Sequence, residues 1–134
     1  MSLNNIKPIA MFPVFVAPDL AEMKAFYENH FGFIPEFYQE DFYLHLLHPD
    51  ARAQLAFMVP DHPSQPAFLL PCASPEGMVI SLEVTDAKRA YEQAVAAEMD
   101  LVFEYKEEAF GIAHFMLKDP AGLVIDIVEH LQPG

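Results

Sequence analysis

The chain has 134 residues, enough for one ordinary domain or two small modules and too few for a cofactor domain plus a separate substrate domain. With 53% of residues hydrophobic and 13% aromatic, there is ample material for a core and no case for global disorder. Seven basic against twenty acidic side chains leave a net charge of −13, a field that repels nucleic-acid phosphates and anionic lipid surfaces; it reads more commonly as a surface that confers solubility than as one that draws neutral or cationic ligands.

Cys72 stands alone and cannot close an intramolecular disulfide, and the opening residues lack the basic-then-apolar pattern of a signal peptide, so a cytoplasmic protein is expected. The long uncharged run at 8–18 is broken by proline and is too short for the about 20 residues of a spanning helix, so no membrane partner is expected.

After a tail at 1–8, the apolar run 9–16 predicts a buried strand leading through Ala17-Pro18 into a helix capped by Asp19. Leu20, Met23, Phe26, Tyr27 and Phe31 keep helical spacing, and Gly32 supplies the stop. Strands are predicted at 35–39, 42–48 and 53–59, which completes a strand-helix-three-strand module over 9–59. Residues 60–76 hold Pro60, Pro63, Pro66, Pro71 and Pro75 and read as a connector. The order then restarts over 77–131, with a strand at 78–84, a helix at about 86–98, strands near 101–105, 111–117 and 123–129, and a tail at 132–134.

Internal repetition supports two modules. At an offset of 67, Phe37-Tyr38-Gln39-Glu40 falls against Glu104-Tyr105-Lys106-Glu107, and at 71, His48-Pro49 matches Asp119-Pro120, a drift that requires loop insertions.

Two copies of this unit, with Asp19, Leu20, Phe26, Tyr27, Phe31, Gly32 and Phe33 in the first and the turn Asp119-Pro120-x-Gly122 in the second, resemble the vicinal oxygen chelate superfamily. That superfamily contains glyoxalase I, extradiol dioxygenases and bleomycin-resistance proteins. The resemblance covers about 9–131 and implies an α+β fold of two tandem βαβββ modules in a curved, cup-like mixed sheet around a small internal site, with modules paired within the chain or across a homodimer.

Metal-using members place a histidine about seven residues before the helix-capping aspartate and a carboxylate about four residues after the DPxG glycine. Those histidine positions fall on Phe12 and Val79, which have no lone pair to offer, whereas the carboxylate position holds Asp126. The first module's matching strand, 54–58, has no acid. One ligand of four does not hold a divalent transition metal tightly, so the resemblance points to the metal-free branch, with no cofactor expected.

Strand alternation then places Phe12, Val14, Val79, Ser81, Glu83, Met116 and Asp126 among the residues lining the site. Phe12 reads equally as a core aromatic or a stacking residue, and Glu83, just before a turn, also reads as a solvated side chain. Asp126 lies on an otherwise apolar strand and must be paired, hydrated or protonated; its functional readings are a cation-binding group or a general base. His30, His62 and His130 read as surface residues. His45 and His114 each lie on the second strand of a hairpin, where the repeat brings them to matching places; pointing outward is the commoner fate, and pointing inward would let them act as acid or base with Asp126.

With these residues the resemblance implies a glyoxalase/bleomycin-resistance-like protein that binds a small, largely apolar organic molecule, neutral or cationic, without a tightly held metal. The alternative is a lyase, isomerase or dioxygenase of the same superfamily using Asp126 with His45 and His114, or a weakly held divalent metal.

Overall fold

A computed structural model describes residues 6–69 and 76–131. The sequence readings at Pro71, Cys72 and Pro75, in the tail at 132–134 and in residues 1–5 lie outside them. The chain forms two compact units, Met1–Cys72 and Ala73–Gly134.

The first unit runs β1 (Val14–Val16), α1 (Leu20–Phe31), β2 (Ile34–Gln39), β3 (Tyr43–Leu47) and β4 (Gln54–Met58). Helix α1 begins where Asp19 accepts a hydrogen bond from the Glu22 amide at 3.0 Å, satisfying a donor that the first turn leaves without a partner. It ends at Gly32, whose φ of 73° is the left-handed conformation that a side chain disfavours. Leu20, Met23 and Tyr27 are buried with Leu44, Leu46, Leu55 and Phe57 of the sheet. Each such large side chain contributes about 1.5–3 kcal/mol on burial.

The second unit repeats the order: β5 (Ile80–Glu83), α2 (Ala87–Ala96), β6 (Leu101–Glu108), β7 (Ile112–Lys118) and β8 (Val124–His130). Asp86 caps α2 by accepting from the Arg89 amide at 3.0 Å, and Glu129 of β8 accepts from the Ala87 amide at 3.0 Å, tying the helix start to the sheet. The tight turn before β8 is built by Asp119, whose Oδ1 accepts from the amides of Ala121 and Leu123, both at 2.9 Å, while Gly122 adopts a φ of 89°.

The expected first strand over 9–16 contracts to Val14–Val16, and Ile9 and Met11 stand almost fully exposed. Pro13 has no amide hydrogen, and among the described residues β1 pairs with β4 alone, so the ladder ends upstream at the Pro13 carbonyl, which accepts from the Ala56 amide at 3.1 Å. Helix α2 stops at Ala96 rather than near 98 because Glu98 takes a left-handed φ of 55°.

The expected single curved, cup-like sheet is not what forms. The strands lie in two separate four-stranded sheets, ordered β1-β4-β3-β2 and β5-β8-β7-β6, and neither is closed or strongly curled. Both are mixed, because β1 and β5 run parallel to β4 and β8 while the other pairs are antiparallel. Each sheet has one short edge strand, β1 of three residues and β5 of four, which offers few free backbone groups to a further strand, and one longer edge, β2 of six and β6 of eight. Among the described residues no helix is long and apolar enough to cross a membrane.

Candidate functional site

One face of the second sheet is covered by α2. Tyr91 of that helix packs on Phe115 with ring centroids 5.2 Å apart, so Phe115 faces the helix and its neighbours His114 and Met116 face the other way. On β8 the same alternation buries Ile125 and Ile127 on the helix side and turns Asp126 to the open face. The ladder sets Asp126 between Ser81 on β5 and Met116 on β7, and sets Val128 between Glu83 and His114.

Three titratable side chains join on this face. His114 Nδ1 lies 2.8 Å from Asp126 Oδ1, and His114 Nε2 lies 3.0 Å from Glu108 Oε2. Lys106 Nζ closes on the other Glu108 oxygen at 3.1 Å. The imidazole and Asp126 are buried, with residue exposures of 6% and 9%, whereas Lys106 is largely in solvent. Burial works against a charge on His114, but the hydrogen bonds and fields of Glu108 and Asp126 outweigh it and raise its pKa above the ordinary 6.5. Hydrogen bonds from His114 and Lys106 hold Glu108 below its ordinary 4.5, against the effect of burial.

Asp126 Oδ2 has no hydrogen-bond partner among the described residues, and no buried side-chain oxygen there is sealed off without one, so this atom opens to the face. Around it stand Met116, Val124 and Val128, with the Phe103 ring 5.2 Å from the His114 ring. Ser81 and Glu83 are exposed beside it on β5, and Val79, just before that strand, is 43% exposed.

Sequence reasoning missed Glu108 and Phe103. They are five residues apart on β6, a separation that strict alternation assigns to opposite faces, and a register irregularity between Phe103 and Lys106 reverses the parity. The hairpin length matters too. Gln39 pairs with Tyr43 across three intervening residues, whereas Lys106 pairs with His114 across seven, so Glu108 belongs to an extension that the first unit lacks.

The ladders also correct the matching of the two histidines. Counting three residues back from each helix-capping aspartate aligns Val16 with Glu83; Val16 leads through Met58 to Tyr43, and Glu83 leads through Val128 to His114. Tyr43 is therefore the counterpart of His114, and His45 of Met116. Ala56 occupies the place of Asp126.

On the first sheet, Phe15 lies 5.9 Å from Phe57 on the helix side, while Phe12 meets His45 at 4.5 Å on the open face. Val14 is 41% exposed. His45 Nε2 lies 2.7 Å from Gln54 Oε1 and 4.0 Å from Glu36 Oε2. His30 and His130 are exposed, and His62 is bonded to Ser64 and packed on Phe42.

The donor set does not fit a metal centre. Glu108 and Asp126 sit at opposite nitrogens of one imidazole and diverge from any common point, and Phe12 and Val79 lack donor atoms. Among the described residues no group of three or more His, Cys, Asp or Glu side chains could hold a metal ion.

Known structures share this architecture. A glyoxalase/bleomycin resistance protein/dioxygenase from Nocardioides superposes with a TM-score of 0.73 at 17% identity, over 96% of this chain and 87% of that one. The lactoylglutathione lyase of Agrobacterium tumefaciens does so with a TM-score of 0.67 at 19% identity, over 91% and 94%. TioX from Micromonospora sp. ML1 matches at 0.67 and 16% identity, over 92% and 100%. At such identities the likeness is one of fold. No curated protein sequence matches the chain. The family model for the Glyoxalase/Bleomycin resistance protein/Dioxygenase superfamily matches residues 6–127, nearly the full length, and this chain belongs to that superfamily.

Proposed function

We propose that the open face of the second sheet binds a small organic cation with an apolar body, and does so without a tightly held metal. The observation that carries this reading is Asp126: a buried carboxylate with one oxygen committed to His114 and the other open to a face of Phe103, Met116, Val124 and Val128. Asp126 and Glu108 flank one imidazole, and among the described residues the further cation of this cluster, Lys106, stands in solvent at the Glu108 end, which leaves the Asp126 charge unanswered at Oδ2. An ammonium group donating to Asp126 Oδ2 would balance it, with the apolar body on the neighbouring side chains.

Benzylamine and its neutral isostere benzyl alcohol, titrated calorimetrically at low salt, test the reading. Benzylamine is expected to bind at least about tenfold more tightly, and Asp126→Asn to remove that preference. Equal affinities, or a preference that survives Asp126→Asn, would overturn it.

A second reading, acid–base catalysis by a superfamily enzyme, draws on the 2.8 Å His114–Asp126 pair, an arrangement in which a carboxylate orients an imidazole. It requires Glu108 to leave Nε2, which otherwise has no site free for a substrate proton. The cytoplasmic location and the homodimer expected from the sequence belong to this proposal as well; a monomeric mass at micromolar concentration would remove the dimer.

A further inference from the structure

The two units repeat one design, yet their longer edges differ. Among the described residues β2 and β6 each have a neighbouring strand on one side only. Strand β6 carries four charged residues in eight, Glu104, Lys106, Glu107 and Glu108, together with two register irregularities, devices that keep an edge from pairing with another chain. Strand β2 carries one charged residue in six, Glu36, and one irregularity, between Pro35 and Phe37. Every residue of β2 is exposed, including Ile34 at 48%, Phe37 at 47% and Tyr38 at 36%.

Alternate residues of an edge strand turn their N–H and C=O groups away from the sheet, where another strand can take them up. Pro35 has no N–H and the irregularity beside it interrupts the ladder, which confines pairing to Glu36–Gln39. So short a ladder needs side chains to add to it. Tyr38 stands opposite Leu44 on the helix side of the sheet and Phe37 opposite His45 on the other, so a strand laid on this edge meets an aromatic ring on each face.

Charge decides which strand fits. Lys24 Nζ stands 5.4 Å from the centre of the Tyr38 ring, so that ring already accepts an ammonium, and the same Nζ is bound to Glu28 at 2.7 Å. The Glu36 side chain is 62% exposed, and Glu40 and Asp41, at the end of the strand, are exposed as well. Partnering by a second copy is opposed by the net charge of −13 on each chain.

We infer that the outer edge of β2 is a docking site for an extended, basic polypeptide segment that adds a strand over Glu36–Gln39, sets lysine or arginine side chains against Phe37 and Tyr38, and answers Glu36, Glu40 and Asp41. The residues are local to one unit, and the argument stands whether or not Asp126 binds a cation.

The probe is a capped hexapeptide alternating lysine and valine. Its control has the same sequence and charge with the two central amides N-methylated, which blocks both of its edges. In calorimetric titrations the parent is expected to bind at least about tenfold more tightly than the control, as lost ladder hydrogen bonds imply. In the unaltered protein the amide resonances of Ile34 and of residues 36–39 should move with the parent while those of 101–108 stay, a readout that does not depend on any variant folding. Glu36→Lys combined with Glu40→Lys should weaken the parent at least about tenfold, and Asp126→Asn should leave it unchanged. Equal affinities of parent and control would reduce the interaction to charge attraction and overturn the inference. So would shifts confined to 101–108, unchanged affinity in the doubly substituted variant, or a loss in Asp126→Asn, the arm that separates this site from the one benzylamine reads. Movement of the 34–39 amides with protein concentration alone would make a second copy the occupant and overturn the basic segment.

Discussion

His114 and Asp126 lie on adjacent antiparallel strands but are not directly opposite: His114 faces Val128 and Asp126 faces Met116 across the ladder, so the two meet on the diagonal, with Nδ1 2.8 Å from Oδ1. Diagonal neighbours two residues apart are beyond the reach of most short side chains, and the imidazole spans the gap. Its other nitrogen then arrives at Glu108, so one ring bridges β6, β7 and β8.

Removing an end of that bridge should cost stability. Asp126→Ala leaves a buried imidazole N–H without its acceptor and is expected to lower unfolding free energy by about 1–3 kcal/mol. Asp126→Asn keeps an acceptor oxygen and should cost less. Urea titrations of the two variants check the order; an equally stable alanine variant would remove the bridge from the account of stability.

The bridge also makes stability depend on pH. His114 holds its proton more tightly folded than unfolded, so its contribution is complete below pH 6.5 and is lost as pH rises through the higher folded value. Glu108 runs the other way: it contributes above pH 4.5, and that contribution is lost as pH falls through its lower folded value. Urea midpoints measured from about pH 6 to 9 should fall more steeply for the unaltered chain than for His114→Gln, within the usual range of histidine titration. Parallel curves would contradict a raised His114.

The turn before β8 rests on one carboxylate. Asp119 is 5% exposed and its Oδ1 accepts two backbone amides. Asp119→Ala strands both donors and is expected to cost about 2–4 kcal/mol, while Asp119→Asn should keep most of the turn. Thermal unfolding of the pair decides it, and similar midpoints would be the contrary result.

At Gly32 the backbone itself sets the cost. A Cβ there would meet nothing nearer than His48 Nε2 at 3.6 Å, an ordinary contact, so Gly32→Ala is penalised only through its φ of 73°. The expected loss is about 1 kcal/mol. A loss several times larger in chemical denaturation would point to packing strain instead.

Much of this architecture is local and therefore readable in order along the chain. Asp19, Asp86 and Gly32 mark helix ends because a side-chain oxygen or a left-handed glycine satisfies backbone groups within three or four residues. The offsets of 67 and 71 between modules survive in the ladders, where Gln39 matches Lys106 and Tyr43 matches His114. Asp126 is visible from its sequence alone, as the one charged residue in the apolar run 123–128.

Tertiary structure decided what depends on residues far apart. Glu108 joins the site only because an irregularity in β6 reverses the alternation and a longer hairpin carries it beside His114, and neither leaves a periodic trace. His45 and His114 look equivalent by element order, yet strand pairing sets them two residues out of register with each other. Two open sheets form in place of one cup because closure depends on edge strands finding partners, and hydrophobic pattern records which face of a strand is buried without recording which strand lies beside it.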